Sequence, residues 1–334
     1  HMNNTIGMHI GFEGFYKLTV HKGDANGNPI PGTERVVADW FPNLITDNGK
    51  NLITTTYGYN NYVQVGTGNT APAVGNTTLA NFIAGTNAVA VDVPVGGAQG
   101  SAPYFGWWRK TFRFGIGVAA GNLAEVGVAP QVSGNLFSRA LIVDGMGAPT
   151  VITVLSDEIL DVSYELRNYP TLTDVNSVIN IEGVDRDVVL RAAIVTTGSN
   201  NSIGGWQPGT NPVCAPNLSS GDHNFTLYGG LATLGSLIGV PVVGPGGNSE
   251  QYVTSQATTR TTIAPYSPGT FFRDYTISLG LNDGNLSGGG IGAVITGWDY
   301  NSAWQLTFRP ILNKTNTKLL TLTFRISWDR FTPP

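Results

Sequence analysis

Apolar and polar residues alternate along many short segments of this chain, and Gly- and Asn-rich stretches separate the segments. Clear examples are FYKLTVHK, LDVSYELR and LLTLTFRISW. Alternation places successive side chains on opposite faces of a strand, so that one face is apolar. Many short strands with turn residues between them are typical of antiparallel sandwiches and barrels. We therefore predict an all-β fold.

Helical spacing of apolar residues is weak, and it is clearest in two short stretches, Asn43–Thr54 and Thr77–Ala84. We predict a short helix in each of them. The turn-forming residues Asp47, Asn48 and Gly49 are expected to interrupt the first helix.

The two halves of the chain resemble each other. Lys110–Leu123 aligns with Arg273–Leu286, and Ile159–Arg167 aligns with Leu319–Ser327 at nearly the same separation. Apolar residues match throughout, and the order of the segments is preserved. We predict two β-sandwich-like domains, 3–170 and 171–334, that arose by tandem duplication. Chance similarity between two Gly-rich β-segments is the alternative.

Composition narrows the class of protein. The chain has 334 residues, of which only 12% are charged, and its 44 Gly make extended loops and turns easy to form. A hydrophobic content of 41% with a net charge of −4 excludes a disordered chain. A surface of Asn, Thr, Ser and Gly is usual in extracellular β-proteins and virion parts.

Charge and cysteine content limit the partners. The chain has no cluster of Lys and Arg, so we predict no nucleic-acid binding. Its single cysteine, Cys214, excludes an intramolecular disulfide and a cysteine-based zinc site. We find no apolar run of transmembrane length and no signal-peptide pattern, and predict neither membrane insertion nor standard export.

A dense acidic run, SDEILD, contains Asp157, Glu158 and Asp161. Paired carboxylates serve as acid and base when their environments separate their pKa values. The run lies where two alternating segments meet, and a turn between strands also requires polar residues. The aligned segment of the second half, LNKTNTKLL, carries the opposite charge. We therefore predict a solvated turn rather than a catalytic pair.

Asp24, Asn26 and Asn28 have the alternate spacing of a calcium-binding loop. Such a loop needs Gly at its sixth position and Glu at its twelfth, where this chain has Pro29 and Arg35. We predict the tip of a hairpin instead.

Other candidate motifs are incomplete. The Gly-rich stretch Gln64–Pro72 has no Lys and precedes no helix, so it is not a phosphate-binding loop. His9, His21 and His223 are scattered singly, and Ser138 has no Gly-x-Ser-x-Gly context. We predict no catalytic residues, no cofactor and no metal site.

Aromatic residues in or beside Gly- and Asn-rich loops are the remaining candidates. Exposed aromatic side chains on loops serve as sugar-stacking or interface residues, but they also fill the ends of sandwiches. Our candidates for interface or ligand contacts are Trp107, Trp108, Trp206, Trp298, Tyr300 and Trp304.

Three segments, Ala38–Ile53, Val63–Ala84 and Phe112–Pro170, resemble tail proteins of tailed bacteriophages, usually labelled tail-fibre or tail-tip proteins. The resemblance covers most of residues 11–170. It implies a virion component, made in the host cytoplasm, whose partners are other tail proteins and a bacterial surface receptor, either glycan or protein. It carries no catalytic residues to transfer.

The expected function is therefore structural, in tail assembly or host attachment, and not enzymatic. Phage tails join sixfold tubes to threefold fibres, as the resemblance implies, and three copies of a duplicated chain present six similar domains. We therefore expect a homotrimer, with a monomer as the alternative. A polysaccharide-degrading tailspike and a non-viral secreted adhesin are the alternative functions.

Overall fold

A computed structural model describes residues 5–90, 95–99, 101–193, 206, 208, 223–239, 241–242, 251–253, 261–286, 289–298 and 302–333. These residues form one helix, Asp47–Thr55 (α1), and many strands, so the prediction of an all-β fold is confirmed. In chain order the strands are Thr5–Lys22 (β1), Arg35–Pro42 (β2), Leu44–Ile45 (β3), Tyr62–Gly66 (β4), Phe82–Thr86 (β5), Val95–Gln99 (β6), Phe105–Phe114 (β7), Gly121–Leu123 (β8), Glu125–Ala129 (β9), Ser138–Leu141 (β10), Ile152–Val154 (β11), Glu158–Pro170 (β12), Val175–Ile181 (β13), Val184–Ala192 (β14), His223–Gly229 (β15), Gln251–Val253 (β16), Thr261–Ile263 (β17), Phe272–Leu279 (β18), Ile291–Trp298 (β19), Ser302–Leu312 (β20) and Leu320–Arg330 (β21).

The strands form one large sheet and three smaller ones. The large sheet has the order β17-β18-β21-β1-β12-β7-β6, and β2 also pairs with β1. A five-stranded sheet, β3-β10-β9-β4-β5, belongs to the first half of the chain, and a six-stranded sheet, β13-β14-β20-β19-β15-β16, belongs to the second. Strands β8 and β11 form a small separate ladder.

The five-stranded and the six-stranded sheets pack on the same face of the large sheet. Side chains at even positions of β1, β12 and β21 are buried, except for Lys22 and Arg330 at strand ends. Those at odd positions of β1 and β21 are mostly exposed or partly exposed, whereas most of those of β12 are buried as well. The hydroxyl of Tyr16 lies 2.7 Å from that of Ser138 and links β1 to the five-stranded sheet. The hydroxyl of Tyr275 lies 2.8 Å from that of Thr296 and links β18 to the six-stranded sheet. The opposite face of the large sheet, called here the outer face, carries the odd-numbered side chains of β1, β12 and β21.

The large sheet crosses the predicted domain boundary near residue 170. Residues Thr5–Phe12 of β1 pair in parallel with β21 of the second half, and Ile10–Lys22 pair antiparallel with β12 of the first. Helix α1 also contacts the second half, since the indole N–H of Trp328 donates to the carbonyl of Lys50 at 2.8 Å. The predicted domains 3–170 and 171–334 therefore share one sheet.

The aligned segments of the two halves have a common connectivity. In the first half, β7 leads to the paired strands β9 and β10 of the smaller sheet, and the chain returns as β12 beside β7. In the second half, β18 leads to the paired strands β19 and β20, and the chain returns as β21 beside β18. This connectivity favours a tandem duplication, which stays a prediction.

The two predicted helices have different outcomes. Asp47, Asn48 and Gly49 do not interrupt a helix but form the first turn of α1, because the Thr46 hydroxyl accepts the amide of Gly49 at 2.8 Å and caps the helix. The helix predicted at Thr77–Ala84 is wrong. Most of this stretch is loop, and β5 begins at Phe82.

Candidate binding face on the outer side of the large sheet

The outer face of the large sheet carries arginine and aromatic side chains where strand faces open to water usually carry small polar residues. Arg109 of β7 lies between two indoles, with its guanidinium carbon 4.7 Å from the ring centre of Trp40 and 5.1 Å from that of Trp107. Gly97 of the neighbouring strand makes room for Trp107, because a Cβ there would lie 2.8 Å from the indole. The three side chains form a cation–π cluster.

A second cation–π cluster lies beside the first. The guanidinium carbon of Arg167 is 4.2 Å from the ring centre of Phe15 and 4.6 Å from that of Phe105. Glu165 joins the two cation–π clusters, since one of its oxygens accepts a hydrogen bond from Arg109 at 3.0 Å and the other accepts one from Arg167 at 2.7 Å. Because its carboxylate is almost fully buried, both guanidiniums are held in fixed positions.

The aromatic contacts continue to the edge of the second half. The ring centre of Phe105 lies 5.2 Å from that of Tyr169, which stacks on Phe331 at 3.7 Å. The hydroxyl of Tyr169 donates to Glu13 at 2.7 Å. Burial of Tyr169 and the neighbouring carboxylate raise its pKa to about 12, so the hydroxyl stays protonated as a donor.

We call this continuous set of side chains the aromatic–arginine band. Aromatic and Arg side chains are enriched in protein interfaces, and aromatic rings also stack on sugars. Trp40 is 37% exposed and the Arg109 side chain 40% exposed, so part of the band is open to a partner. The band comprises Phe15, Trp40, Phe105, Trp107, Arg109, Glu165, Arg167, Tyr169 and Phe331.

The six aromatic residues singled out from the sequence have different positions. Trp107 belongs to the band, whereas its neighbour Trp108 points inward and is 6% exposed. Trp206 and Trp304 take the alternative role of aromatic residues in such a chain, which is to fill the interior. Both are buried and meet edge to face at 5.3 Å, so they fill the interior of the second half. Tyr300 and the side chain of Trp298 lie outside the described part of the chain.

The acidic run forms a turn at Ser156 and Asp157, and of its three carboxylates only that of Asp157 is solvated. Asp157 pairs with Lys22 at 2.8 Å and is largely exposed. Glu158 and Asp161 are buried, which corrects the prediction of a fully solvated turn. The reason is that each neutralises a guanidinium: Glu158 accepts from Arg35 at 3.1 Å, and Asp161 accepts from Arg113 of β7 at 2.8 and 2.7 Å.

Glu158 shows how such a carboxylate stays charged when it is buried. Burial alone would raise its pKa, but the backbone amide of Leu155, 2.8 Å away, and the guanidinium of Arg35 outweigh the burial. The pKa of Glu158 is therefore held below its ordinary value.

The other candidates from the sequence have structural roles. The predicted hairpin tip is confirmed at Asp24, whose carboxylate accepts the amides of Asn26 and Asn28 at 2.8 Å each. Ser138 is buried. His21 contacts Asp161 at 3.0 Å, and His9 contacts the hydroxyl of Ser327 at 3.0 Å. The side chain of His223 and all of Cys214 lie outside the described residues.

The Gly-rich stretch Gln64–Pro72 continues into a long loop, Thr67–Asn81, that a buried ion pair holds in place. Glu125 accepts the backbone amides of Gly68 at 3.0 Å and of Asn81 at 2.7 Å, near the two ends of the loop. The guanidinium of Arg139 donates to Glu125 at 2.9 Å and to the carbonyl of Thr70 at 2.8 Å. The loop is thus fixed by one fully buried carboxylate.

Sequence reasoning missed most of the band. A signal was present in YELRNYP, where Glu165, Arg167 and Tyr169 occupy the alternating positions of β12 that face away from the core. In FYKLTVHK, Phe15 likewise occupies a position of β1 that faces away from the core. Large aromatic and Arg side chains at positions that face water indicate a binding face.

Within the described ranges, no group of three or more His, Cys, Asp and Glu side chains could hold a metal ion. The same residues include no helix with the length and hydrophobicity that a membrane span requires. Comparison with known proteins found no matching family model, no matching curated protein and no matching solved structure.

Proposed function

We propose that this chain is a structural component of a bacteriophage tail, in the tail-fibre or tail-tip region, that acts by binding and not by catalysis. The observation that carries the proposal is the aromatic–arginine band on the outer face of the large sheet. Its two guanidiniums are pre-positioned by the buried carboxylate of Glu165. Rigid Trp and Arg side chains of this kind contribute most of the binding energy in many protein interfaces.

The buried carboxylates also favour a binding protein. A catalytic carboxylate must exchange a proton with its substrate. Glu125, Glu158, Asp161 and Glu165 each accept hydrogen bonds from an Arg side chain, so their charges are used to join strands and loops.

The segments that resemble phage tail proteins support the same proposal. Ala38–Ile53 contains β3 and most of β2 and α1, Val63–Ala84 contains most of β4 and the whole long loop, and Phe112–Pro170 contains β8 to β12. Together with β1 they form most of one packed sandwich, so the resemblance covers a structural unit and not scattered strands.

We further propose that the chain assembles as a homotrimer. Threefold rings are built from heterologous contacts, in which one patch meets a different patch of the next subunit. The outer face of the large sheet supplies an aromatic patch for such a contact, whether with another copy or with another tail protein.

Two experiments test the proposal. Light scattering on the purified full chain is expected to give three times the chain mass of 35.3 kDa, and a value of 35.3 kDa at micromolar concentration would overturn the trimer. Gold-labelled antibodies against the chain are expected to mark the tail end of the phage particles that encode it. Particles that lack the chain would overturn the tail assignment.

A matched pair of variants tests the role of the band. Trp40→Ala is expected to weaken the trimer at least tenfold, whereas Phe82→Ala, which removes an equally exposed ring from β5, is expected to leave it unchanged. Equal effects of the two changes would show that the band does not form the contact.

A further inference from the structure

The aromatic–arginine band ends in a groove of about 470 Å³ where the two halves of the chain meet. The residues that line it include His9 of β1, Tyr104, Tyr169, and Asp329 and Phe331 at the end of β21. Cavities of several hundred Å³ are typical of small-molecule sites.

Phe331 is a rigid platform in this groove. One of its faces stacks on Tyr169 with the two rings only 7° from parallel, and its amide donates to the carbonyl of Phe12 at 2.8 Å. Gly11 packs closely against it, since a Cβ at this position would lie 3.1 Å from the ring. The ring is only half buried, so an aromatic surface is held in place before any ligand arrives.

Polar groups lie beside this platform. The Asp329 side chain is 56% exposed, and its contacts with Lys50 and with the amide of Arg330 both use Oδ1, which leaves Oδ2 for a ligand. The exposed imidazole of His9 also lines the groove. A carboxylate oxygen accepts hydrogen bonds, and Nε2 of His9, whose Nδ1 contacts Ser327, adds one donor or acceptor, a set that suits neighbouring hydroxyl groups.

The strand at Gly11, which lines the groove, offers little to a peptide. Gly11 is already paired on both sides, with Asp329 of β21 and with Tyr169 of β12. Recognition by strand addition needs an unpaired edge. The available contacts are an aromatic face and side-chain polar groups.

We propose that this groove binds a saccharide, with the apolar C–H face of one pyranose ring on Phe331 and its hydroxyls bound by Asp329 and His9. The inference rests on the proposed function in one respect, since it makes the ligand a glycan of the host surface. The groove joins both halves, so a bound sugar would contact the first half and the second half together.

Saturation-transfer NMR on the full chain tests this site. The probes are the methyl glycosides of glucose, galactose, mannose, rhamnose and N-acetylglucosamine. At least one is expected to receive saturation at its ring protons, with a dissociation constant on the order of 1 mM, as weak contacts of this size give. If none of the five does, the proposal is wrong.

Three variants assign the binding to the groove. Phe331→Leu keeps an apolar contact with Tyr169 but removes the ring, and Asp329→Asn removes the carboxylate charge. Each is expected to weaken binding at least tenfold. Phe82→Leu, which changes an exposed ring on β5, is expected to bind as the unmodified chain does. Unchanged binding by both groove variants overturns the proposal, and so does displacement of the glycoside by a decaproline peptide.

The result is separable from the proposed tail function. A chain that forms trimers and is found on particles, but binds no glycoside, disproves the saccharide site alone. A chain that binds a glycoside but is absent from particles disproves the tail assignment alone.

Discussion

Glu165 and Arg325 occupy corresponding positions on β12 and β21 but carry opposite charges. Glu165 lies two residues after Ser163, whose hydroxyl is 2.8 Å from that of Thr111 on the neighbouring strand. Arg325 lies two residues after Thr323, which makes the matching hydroxyl contact in the second half. If the halves arose by duplication, the residue at this position is acidic in one half and basic in the other, while both halves keep the hydroxyl contact beside it.

Each residue pairs with a residue of opposite charge on the neighbouring strand. Glu165 binds Arg109 on β7, and Arg325 binds Asp274 on β18 at 2.7 Å. An aromatic ring accompanies both arginines, Trp107 beside Arg109 and Phe272 beside Arg325. The outer face thus repeats one arrangement, an Arg–carboxylate pair with a ring, in the two halves.

The first prediction concerns this arrangement. Glu165→Gln leaves Arg109 and Arg167 without their shared carboxylate, so we expect it to lower the free energy of unfolding by about 2–3 kcal/mol. This loss is smaller than that expected on breaking a fully buried ion pair, because the Arg109 side chain is 40% exposed. Asp274→Asn, in a more exposed pair, is expected to cost at most about 1 kcal/mol. Urea unfolding of both variants measures the difference, and an equal loss would contradict the prediction.

The second prediction concerns the buried carboxylate that fixes the long loop. Glu125→Gln is expected to cost about 3–5 kcal/mol, because Arg139 is left as an unpaired charge in the interior. Hydrogen exchange should also rise at the amides of Gly68 and Asn81, which bond to Glu125. Asp39→Asn, at an exposed pair, serves as the control and should change neither quantity. Slow exchange in the Glu125 variant would refute the role of the carboxylate.

The third prediction concerns Gly49 in α1. Alanine is the better helix former by about 1 kcal/mol, yet a Cβ at this position would lie 2.0 Å from the carbonyl oxygen of Phe137. We therefore expect Gly49→Ala to lower the thermal midpoint, by an amount that corresponds to about 1–3 kcal/mol of overpacking. Gly75→Ala, where no atom lies within 4 Å, should leave the midpoint within a degree or two. A more stable Gly49 variant would be inconsistent with this contact.

The fourth prediction concerns acid stability. The pKa of Glu158 is held below its unfolded value of about 4.3, so its contribution is present above that value and is lost as pH falls through the folded pKa. Arg35→Ala brings the folded pKa closer to the unfolded one, and the acid unfolding midpoint is expected to move to higher pH. Intrinsic fluorescence during an acid titration measures this shift. Lys318→Ala, which removes the exposed pair with Glu182, should not move the midpoint.

The sequence predicts the strands well because alternation is a local property. It predicts α1 poorly at its start, since Asp47, Asn48 and Gly49 favour a turn until the hydroxyl of Thr46 caps them. It fails at Thr77–Ala84 because buried Glu125, distant in sequence, holds the residues there as a loop. Local patterns do not contain such long-range contacts.

The binding face is less predictable than the fold. Trp107 and Trp108 are neighbours in sequence and equally conspicuous, but the pleat sends one into the band and the other into the core. The strands that bring Trp40 to Arg109 are far apart in the chain. Only the order of strands in the sheet places these side chains together.

The pairing of Thr5–Phe12 with β21 also affects the order in which the chain folds during synthesis. His9 and Ser327, which face each other across this pairing, are 318 residues apart. At about 5–20 residues per second, a ribosome needs roughly 15–60 s to make the intervening chain. Residues Ile10–Lys22 can pair with β12 much earlier. The N-terminal end of β1 therefore stays unpaired on the nascent protein until β21 emerges.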